Sequence, residues 1–386
     1  MKFPLSDPAF PAAPDTLASD APAPASRILI VLHDFPAGGT ERVAIRLANQ
    51  WARMGREVRI FCGTEAGPLR PLVDPLVSVE QAEPVLPRGL FSRIRLGFAL
   101  AAAVERFRPD AVFAPGNFHL PVMAAFGLRN RSGTATLCKI SNPLVHRDIS
   151  GWFARRVVRL LTARIDTFVA MSPALRAEAA RWIDPDRVAA RWEPLIPTAH
   201  APAGERPERD PGLIVAAGRL EPQKNFGLAI EAMAHLSRWS DARLVILGEG
   251  SERAHLARMI GRLGLHERVT LMGHVRDVAP WFERAACYLM TSRYEGYPAS
   301  LVEALASGVP AVVTPCSASL SEILPADGLG GITPADAGAI ADALRTVLRR
   351  QRLEAIDPML LARHDEERAA GSYLGLIDRC VRECAV

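Results

Sequence analysis

The order of apolar segments predicts an α/β protein built from two doubly wound parallel-sheet domains that face each other across a deep cleft. Three observations carry that expectation. Strand-like apolar runs alternate with helix-periodic stretches from about residue 27 to the end, the pattern of parallel strands joined by covering helices. At 386 residues the chain exceeds what a single core usually holds, which favours two domains. A polar, proline-bearing stretch, APAGERPERDPG (201–212), separates two such series and reads as the linker between them.

The elements follow in order. Residues 1–26 are rich in Pro, Ala, Asp and Ser, with no apolar run and no basic start. They read as a flexible leader rather than a secretory signal. The first domain, 27–200, has strand candidates RILIVLH (27–33), EVRIFC (57–62), DAVFA (110–114), TATLCKI (134–140) and DTFVAM (166–171). Helical patterns fill 40–54, 90–107, 118–128, 150–163 and 173–182. The second domain, 213–362, begins with LIVAAG and continues through LVILG, VTLMG, CYLMT and VPAVVT, with helices starting near Asn225, Ser251, Val278, Pro298 and Ser317. Residues 363–386 carry a final helical pattern.

Composition narrows the classes. No window approaches the roughly 18 consecutive apolar residues of a membrane span, so a cytoplasmic location is expected. The six cysteines form no CxxC pair, which favours buried free thiols over disulfides or zinc. The net charge of +4 is mild, but of 46 basic residues only Lys2, Lys139 and Lys224 are lysines. A lysine that persists in so arginine-rich a chain points either to a need for a compact, mobile ammonium or, with only three such residues, to compositional chance.

Chemistry gathers where strands end and helices begin, which is where doubly wound sheets bind ligands. In RYEGYPASLVEALASGVPAVVT (293–314), Glu295 precedes a Gly-Tyr-Pro turn and Glu303 falls eight positions later, on the helix that Pro298 opens. Leu301, Val302, Leu305 and Ala306 recur at helical spacing, and Gly308 ends the helix before an apolar strand. A loop carboxylate and a helical one, beside free backbone N–H groups, suit a hydroxyl-rich anionic ligand. In GRLEPQKNF (218–226), Gly218 permits a sharp turn, Arg219 offers a forked donor and Lys224 a mobile charge. Two cations in one strand-to-helix turn suit a phosphorylated ligand. PAGGTER (36–42) places Gly38 and Gly39 after the first strand, with Thr40 suited to cap the next helix. It is not a GxGxxG fingerprint, which disfavours a dinucleotide cofactor.

Taken together, these segments resemble the retaining glycosyltransferases of the GT-B fold, family 4 (glycosyl transferases group 1), over about residues 27–380. The resemblance implies two Rossmann-like domains and a C-terminal helix that crosses back onto the first. It implies that Arg219 and Lys224 hold the donor phosphates, that Glu295 faces the donor sugar and that Glu303 holds the ribose. Gly248 and Gly250 of LGEGSER match the family's glycine pair, and His274, Val275 and Arg276 match the stretch whose backbone reads the base. Gly38 and Gly39 match the loop that closes over the diphosphate.

On the acceptor side the resemblance is looser. Many relatives carry a histidine after the strand corresponding to TATLCKI, where this chain has Ile140, Ser141, Asn142 and Pro143. Asn117, His119, Lys139, Asn142 and His146 are the candidates there, and none is assigned as a general base. The implied reaction is transfer from a UDP- or GDP-sugar to an acceptor hydroxyl, saccharide or lipid-linked, with retention, no cofactor and no metal. Two other readings fit the same fold: a sugar-nucleotide 2-epimerase, and a non-catalytic nucleotide-sugar-binding protein.

Two remaining patterns have plainer explanations. Asp184-Pro185-Asp186 fits a metal-binding DxD string but occupies a turn between a helix and a strand. The arginine-dense span from Arg147 to Arg191 interleaves its charges with Trp152, Phe153, Val157, Leu160 and Leu161. That spacing favours a helix on anionic lipid over a nucleic-acid surface, and an ordinary solvated helix face fits equally well.

Overall fold

The computed structural model describes residues 25–130, 133–145, 151–198, 208–324, 331–350 and 357–384. The first lobe carries strands β1 (Arg27–Leu32), β2 (Glu57–Cys62), β3 (Ser78–Gln81), β4 (Ala111–Ala114), β5 (Ala135–Ile140), β6 (Thr167–Ala170) and β7 (Val188–Ala190). They form one parallel sheet in the order β3-β2-β1-β4-β5-β6-β7. Its helices are α1 (Gly39–Arg53), α2 (Ser92–Phe107), α3 (Leu120–Gly127), α4 (Gly151–Thr162) and α5 (Pro173–Ala179).

The second lobe carries β8 (Leu213–Ala217), β9 (Arg243–Leu247), β10 (Val269–Gly273), β11 (Cys287–Met290), β12 (Ala311–Val313) and β13 (Gly331–Ile332), all parallel, in the order β10-β9-β8-β11-β12-β13. Its helices are α6 (Phe226–Leu236), α7 (Arg253–Arg262), α8 (Ala279–Arg284), α9 (Ala299–Ala306), α10 (Leu320–Ile323), α11 (Ala337–Arg350) and α12 (Pro358–His364). Strand order reverses between β1 and β4 in one sheet and between β8 and β11 in the other. Crevices at those two points receive the sequence motifs.

The alternation of buried faces explains the layers. Along β8, Leu213, Val215 and Ala217 join the cluster shared with the first lobe, while Ile214 and Ala216 pack against Ile230, Leu244 and Leu344 on the far side. This period of two is what a strand covered on both faces requires. Four elements lie outside the sequence expectations, one of them the two-residue strand β13. β3 is a half-exposed edge strand with polar residues. α11 packs on α6, and α12 closes the second lobe.

The last helix, α13 (Glu366–Cys384), returns to the first lobe and lies along α1. Trp51 of α1 is fully buried there, and its Nε1 donates to the Ala370 carbonyl at 3.0 Å. Arg46 pairs with Glu366 at 3.0 Å, and Arg56 with Asp378 at 3.0 Å. Two chain segments therefore cross between the lobes side by side. The Leu195 and Ile196 amides both donate to the His364 carbonyl, and the Glu366 amide donates back to the Ile196 carbonyl.

Thr40 does not cap α1. The helix starts earlier, with Gly38 as its extended N-cap. The Glu41 carboxylate folds over Gly38 so closely that a Cβ there would lie 2.3 Å from Glu41 Oε2. All six cysteines are free, and five are buried. Asp184 Oδ1 accepts from the Asp186 amide at 3.1 Å, so the DxD string is a turn. Among the described residues no helix is long and apolar enough to cross a membrane.

Candidate active site

The second lobe builds the site from two adjacent strand ends. Chain leaving β8 turns at Gly218 and reaches Lys224, whose methylenes lie over Gly218, about 3.0 to 3.3 Å from where a Cβ would stand. Chain leaving β11 supplies Ser292 and Glu295. Lys224 Nζ and Glu295 Oε1 are 2.6 Å apart. The same carboxylate oxygen accepts from Ser292 Oγ at 2.6 Å, while Gln223 Nε2 reaches Oε2 at 3.4 Å. The Glu295 amide donates to the Cys316 carbonyl. Glu295 is thus a buried carboxylate held from several sides, and its ammonium partner keeps two N–H donors for a ligand.

Backbone fit keeps these turns close together. A Cβ on Gly248, whose φ is +142°, would lie 1.9 Å from the Gly218 carbonyl oxygen, so the β8 and β9 turns meet only with glycine there. Gly250 likewise approaches the backbone of Leu220, where a Cβ would lie 2.4 Å from the carbonyl oxygen. Arg219 is exposed, whereas Lys224 is half-buried. Gly296, next to Glu295, touches the other lobe: a Cβ there would sit 2.0 Å from the Ser141 carbonyl oxygen.

Glu303 lies on α9, half-buried. Burial pushes its carboxyl above the ordinary range, Arg46 and Arg42 of the facing α1 pull it back, and Asp277 pushes it up again. Glu303 therefore stands between the segment holding His274, Val275 and Arg276 and the first-lobe helix that follows Gly38 and Gly39. Lys224 and Glu295 are in direct contact, whereas Glu303 occupies a separate station.

The first-lobe candidates divide. Asn117 is a clamp: its Nδ2 donates to the Asn142 carbonyl at 2.8 Å, and its Oδ1 accepts from the Ser141 amide at 2.8 Å. It shapes the loop that meets Gly296, and Asn142 contributes its backbone. Lys139 does not line the cleft. It is fully buried and paired with Glu193 inside the lobe, because alternation along β5 turns it inward. His119 does not reach the cleft either. It is 1% exposed, and burial lowers its pKa to about 3. Both its ring nitrogens are without hydrogen-bond partners. His146 lies outside the described residues.

Sequence reasoning passed over Ser292, Gln223, Ser141 and Arg42. Gln223 adjoins Lys224 and could have been noticed from that alone. Ser292 lies only three residues before Glu295, whereas Ser141 and Arg42 gain meaning only from neighbours distant in the chain. An apolar pocket beside Gly296 is lined by Ile140, Pro143, Leu144, Met171 and Trp182.

A family model described as "Glycosyl transferases group 1" matches residues 211–350, and one described as "Glycosyl transferase 4-like domain" matches residues 38–191. The amylovoran biosynthesis glycosyltransferase AmsD of Erwinia amylovora is 35% identical over 117 residues, 30% of this chain and 32% of that protein. That alignment spans about a third of the relative's length. A GDP-mannose-dependent alpha-(1-6)-phosphatidylinositol dimannoside mannosyltransferase of Mycobacterium tuberculosis is 27% identical over 335 residues, covering 81% of this chain and 85% of that one. Among solved structures, HepE of Anabaena in complex with UDP and glucose superposes with a TM-score of 0.67 at 18% identity, over 93% of this chain and 98% of that one. With both lobes matched and the strand-end site assembled between them, the chain belongs to the group 1, family-4-type glycosyltransferases of the GT-B fold.

Proposed function

We propose that this protein transfers a sugar, with retention at the anomeric carbon, from a UDP- or GDP-sugar to an acceptor hydroxyl in lipid-linked saccharide or surface-polysaccharide synthesis. The observation that carries the proposal is the Lys224–Glu295 pair at the paired ends of β8 and β11. A buried carboxylate aligned with a cation is suited to hold sugar hydroxyls on one side and a leaving diphosphate on the other.

In this reading the glycosidic C–O bond breaks toward an oxocarbenium-like species, and the electron pair leaves with the diphosphate. Arg219 and Lys224 stabilise that developing charge. A phosphate oxygen takes the proton of the acceptor hydroxyl as the new C–O bond forms on the same face. Glu295 orients the sugar, Glu303 binds the ribose, and the backbone at His274–Arg276 reads the base. The two cations supply what a metal would otherwise supply, so chelation is expected to leave the rate unchanged. Cleft closure excludes water from the donor.

The acceptor is proposed to be amphiphilic and the enzyme to work at the cytoplasmic face of a membrane. Trp152 and Leu160 of α4 are 71% and 70% exposed, among Arg155, Arg156 and Arg159. At the start of α2, Leu90 is 86% exposed and Phe91 64%, beside Arg88 and Arg93. α2, α3 and α4 pack side by side. Apolar side chains interleaved with arginines suit an anionic bilayer surface.

The test is a thermal-shift screen against uridine, guanosine and adenosine diphosphate sugars, followed by assays of nucleoside diphosphate release. Acceptor-dependent release supports transfer. Isomerised donor without acceptor supports an epimerase instead, and binding without either product a sensor.

A further inference from the structure

Glu295 has a second set of supports that leads out of its own lobe. Two residues on, Tyr297 is buried, and its hydroxyl lies 2.9 Å from His364 Nε2. His364 ends α12 at the crossing between lobes and is fully buried. Its Nδ1 lies 2.9 Å from the Glu193 carbonyl oxygen. A carbonyl only accepts, so Nδ1 carries the proton and Nε2 is left as an acceptor. Tyr297 must therefore donate. The direction of every hydrogen bond in this chain is determined, and each buried polar atom of the imidazole is satisfied.

Packing gives the relay little freedom. Trp192, next to Glu193, stands edge-on to Tyr297 at 5.9 Å between ring centroids and to His364 at 5.7 Å. Glu193 is itself anchored by Lys139 in the first lobe. A continuous path thus runs from β5 through Lys139, Glu193 and His364 to Tyr297 and the Glu295 loop. Lys224, Ser292 and Gln223 hold Glu295 within the second lobe, whereas this path ties its loop to the first.

We infer that the Tyr297–His364 hydrogen bond is a positioning device that sets the Glu295 carboxylate relative to the first lobe. Tyr297 and His364 touch no substrate. They tie the placement of the donor sugar to the first lobe through Glu193 and Lys139. The inference rests on the transferase function proposed above and adds two residues to its machinery.

Tyr297→Phe keeps the ring and removes only the donor. It leaves His364 Nε2 unpaired, so a lowered Tm alone is not diagnostic. The double variant Tyr297→Phe/His364→Leu removes both partners of that bond but also takes the Nδ1 donor from the Glu193 carbonyl, so its kcat is compared with that of Tyr297→Phe at an equal distance below each Tm. Each is assayed well below its Tm with the donor sugar chosen by the thermal-shift screen. The expected result is a fall in kcat of about tenfold to a hundredfold in both variants, with nucleoside diphosphate Kd within about twofold of wild type. Recovery of kcat together with Tm in the double variant, or a Tyr297→Phe kcat within about twofold of wild type, overturns the inference. A wild-type protein inactive on every donor sugar refutes the transferase proposal and this inference with it. An active wild type matched by its variants refutes the positioning role alone.

Discussion

Replacing Lys224 with methionine isolates the charge from the packing. The methionine keeps a flexible stem over Gly218, where Lys224 carbons now lie, and deletes the ammonium 2.6 Å from Glu295. Two consequences follow, of different size. For stability, Glu295 loses one charge-assisted bond, an interaction of roughly 1.5–3 kcal/mol. The carboxylate retains Ser292 Oγ at 2.6 Å and Gln223 at 3.4 Å, so the loss belongs near the lower end. For turnover, the proposed reaction makes the ammonium one of two cations facing the leaving diphosphate. Removing one preorganised stabilising group costs about 2.7–4 kcal/mol of barrier, or roughly a hundredfold to a thousandfold in rate. The assay is the initial rate of nucleoside diphosphate release at saturating donor, alongside a melting curve. A rate within about threefold of wild type, with Tm lowered, would show that Lys224 merely pairs with Glu295, and the leaving-group argument would be wrong.

Further predictions concern other groups. Because burial raises the Glu303 carboxyl, acidification should protonate it before ordinary carboxylates. Nucleotide affinity should then fall as pH drops toward that range, and Glu303→Gln should bind weakly at every pH, as titration calorimetry would report. His119 and His364 are neutral in the fold, with pKa values lowered to about 3 and about 4. The unfolded chain binds protons at these positions below its ordinary histidine pKa of about 6.5, so stability is full above that pH and declines below it, by up to about 1.4 kcal/mol per pH unit for each. His119→Leu removes two unpartnered buried nitrogens and should both raise Tm and flatten its decline between neutral pH and pH 5. Leu160→Glu on α4 alters an exposed position, so co-sedimentation with anionic vesicles should weaken by several-fold while Tm stays unchanged. Unaltered co-sedimentation would remove α4 from the membrane proposal.

Much of this architecture is legible in one dimension because its causes are local. Alternating burial along β8 follows from nearest neighbours in the chain. So does the placing of Glu295 in a loop and Glu303 on α9. Edge strand β3 was missed for an equally local reason: half exposed, it has no continuous apolar run. The start of α1 was misplaced because glycine and threonine both serve as N-caps, and only the fold of Glu41 over Gly38 distinguishes them here.

Lys139 and Lys224 mark the limit. In the sequence they are two of three lysines in an arginine-rich chain, alike in promise. The sequence by itself determined two parallel α/β lobes and a set of charged groups at strand ends, since hydrophobic periodicity and turn chemistry act over a few residues. Only the tertiary structure decided that one lysine meets Glu193, 54 positions away, inside a core, while the other meets Glu295 at the site. It alone brought Tyr297 to His364 and Glu303 to the arginines of α1. An ion pair or buried hydrogen bond depends on distance and on the water excluded around it, and both are set by how separate elements pack.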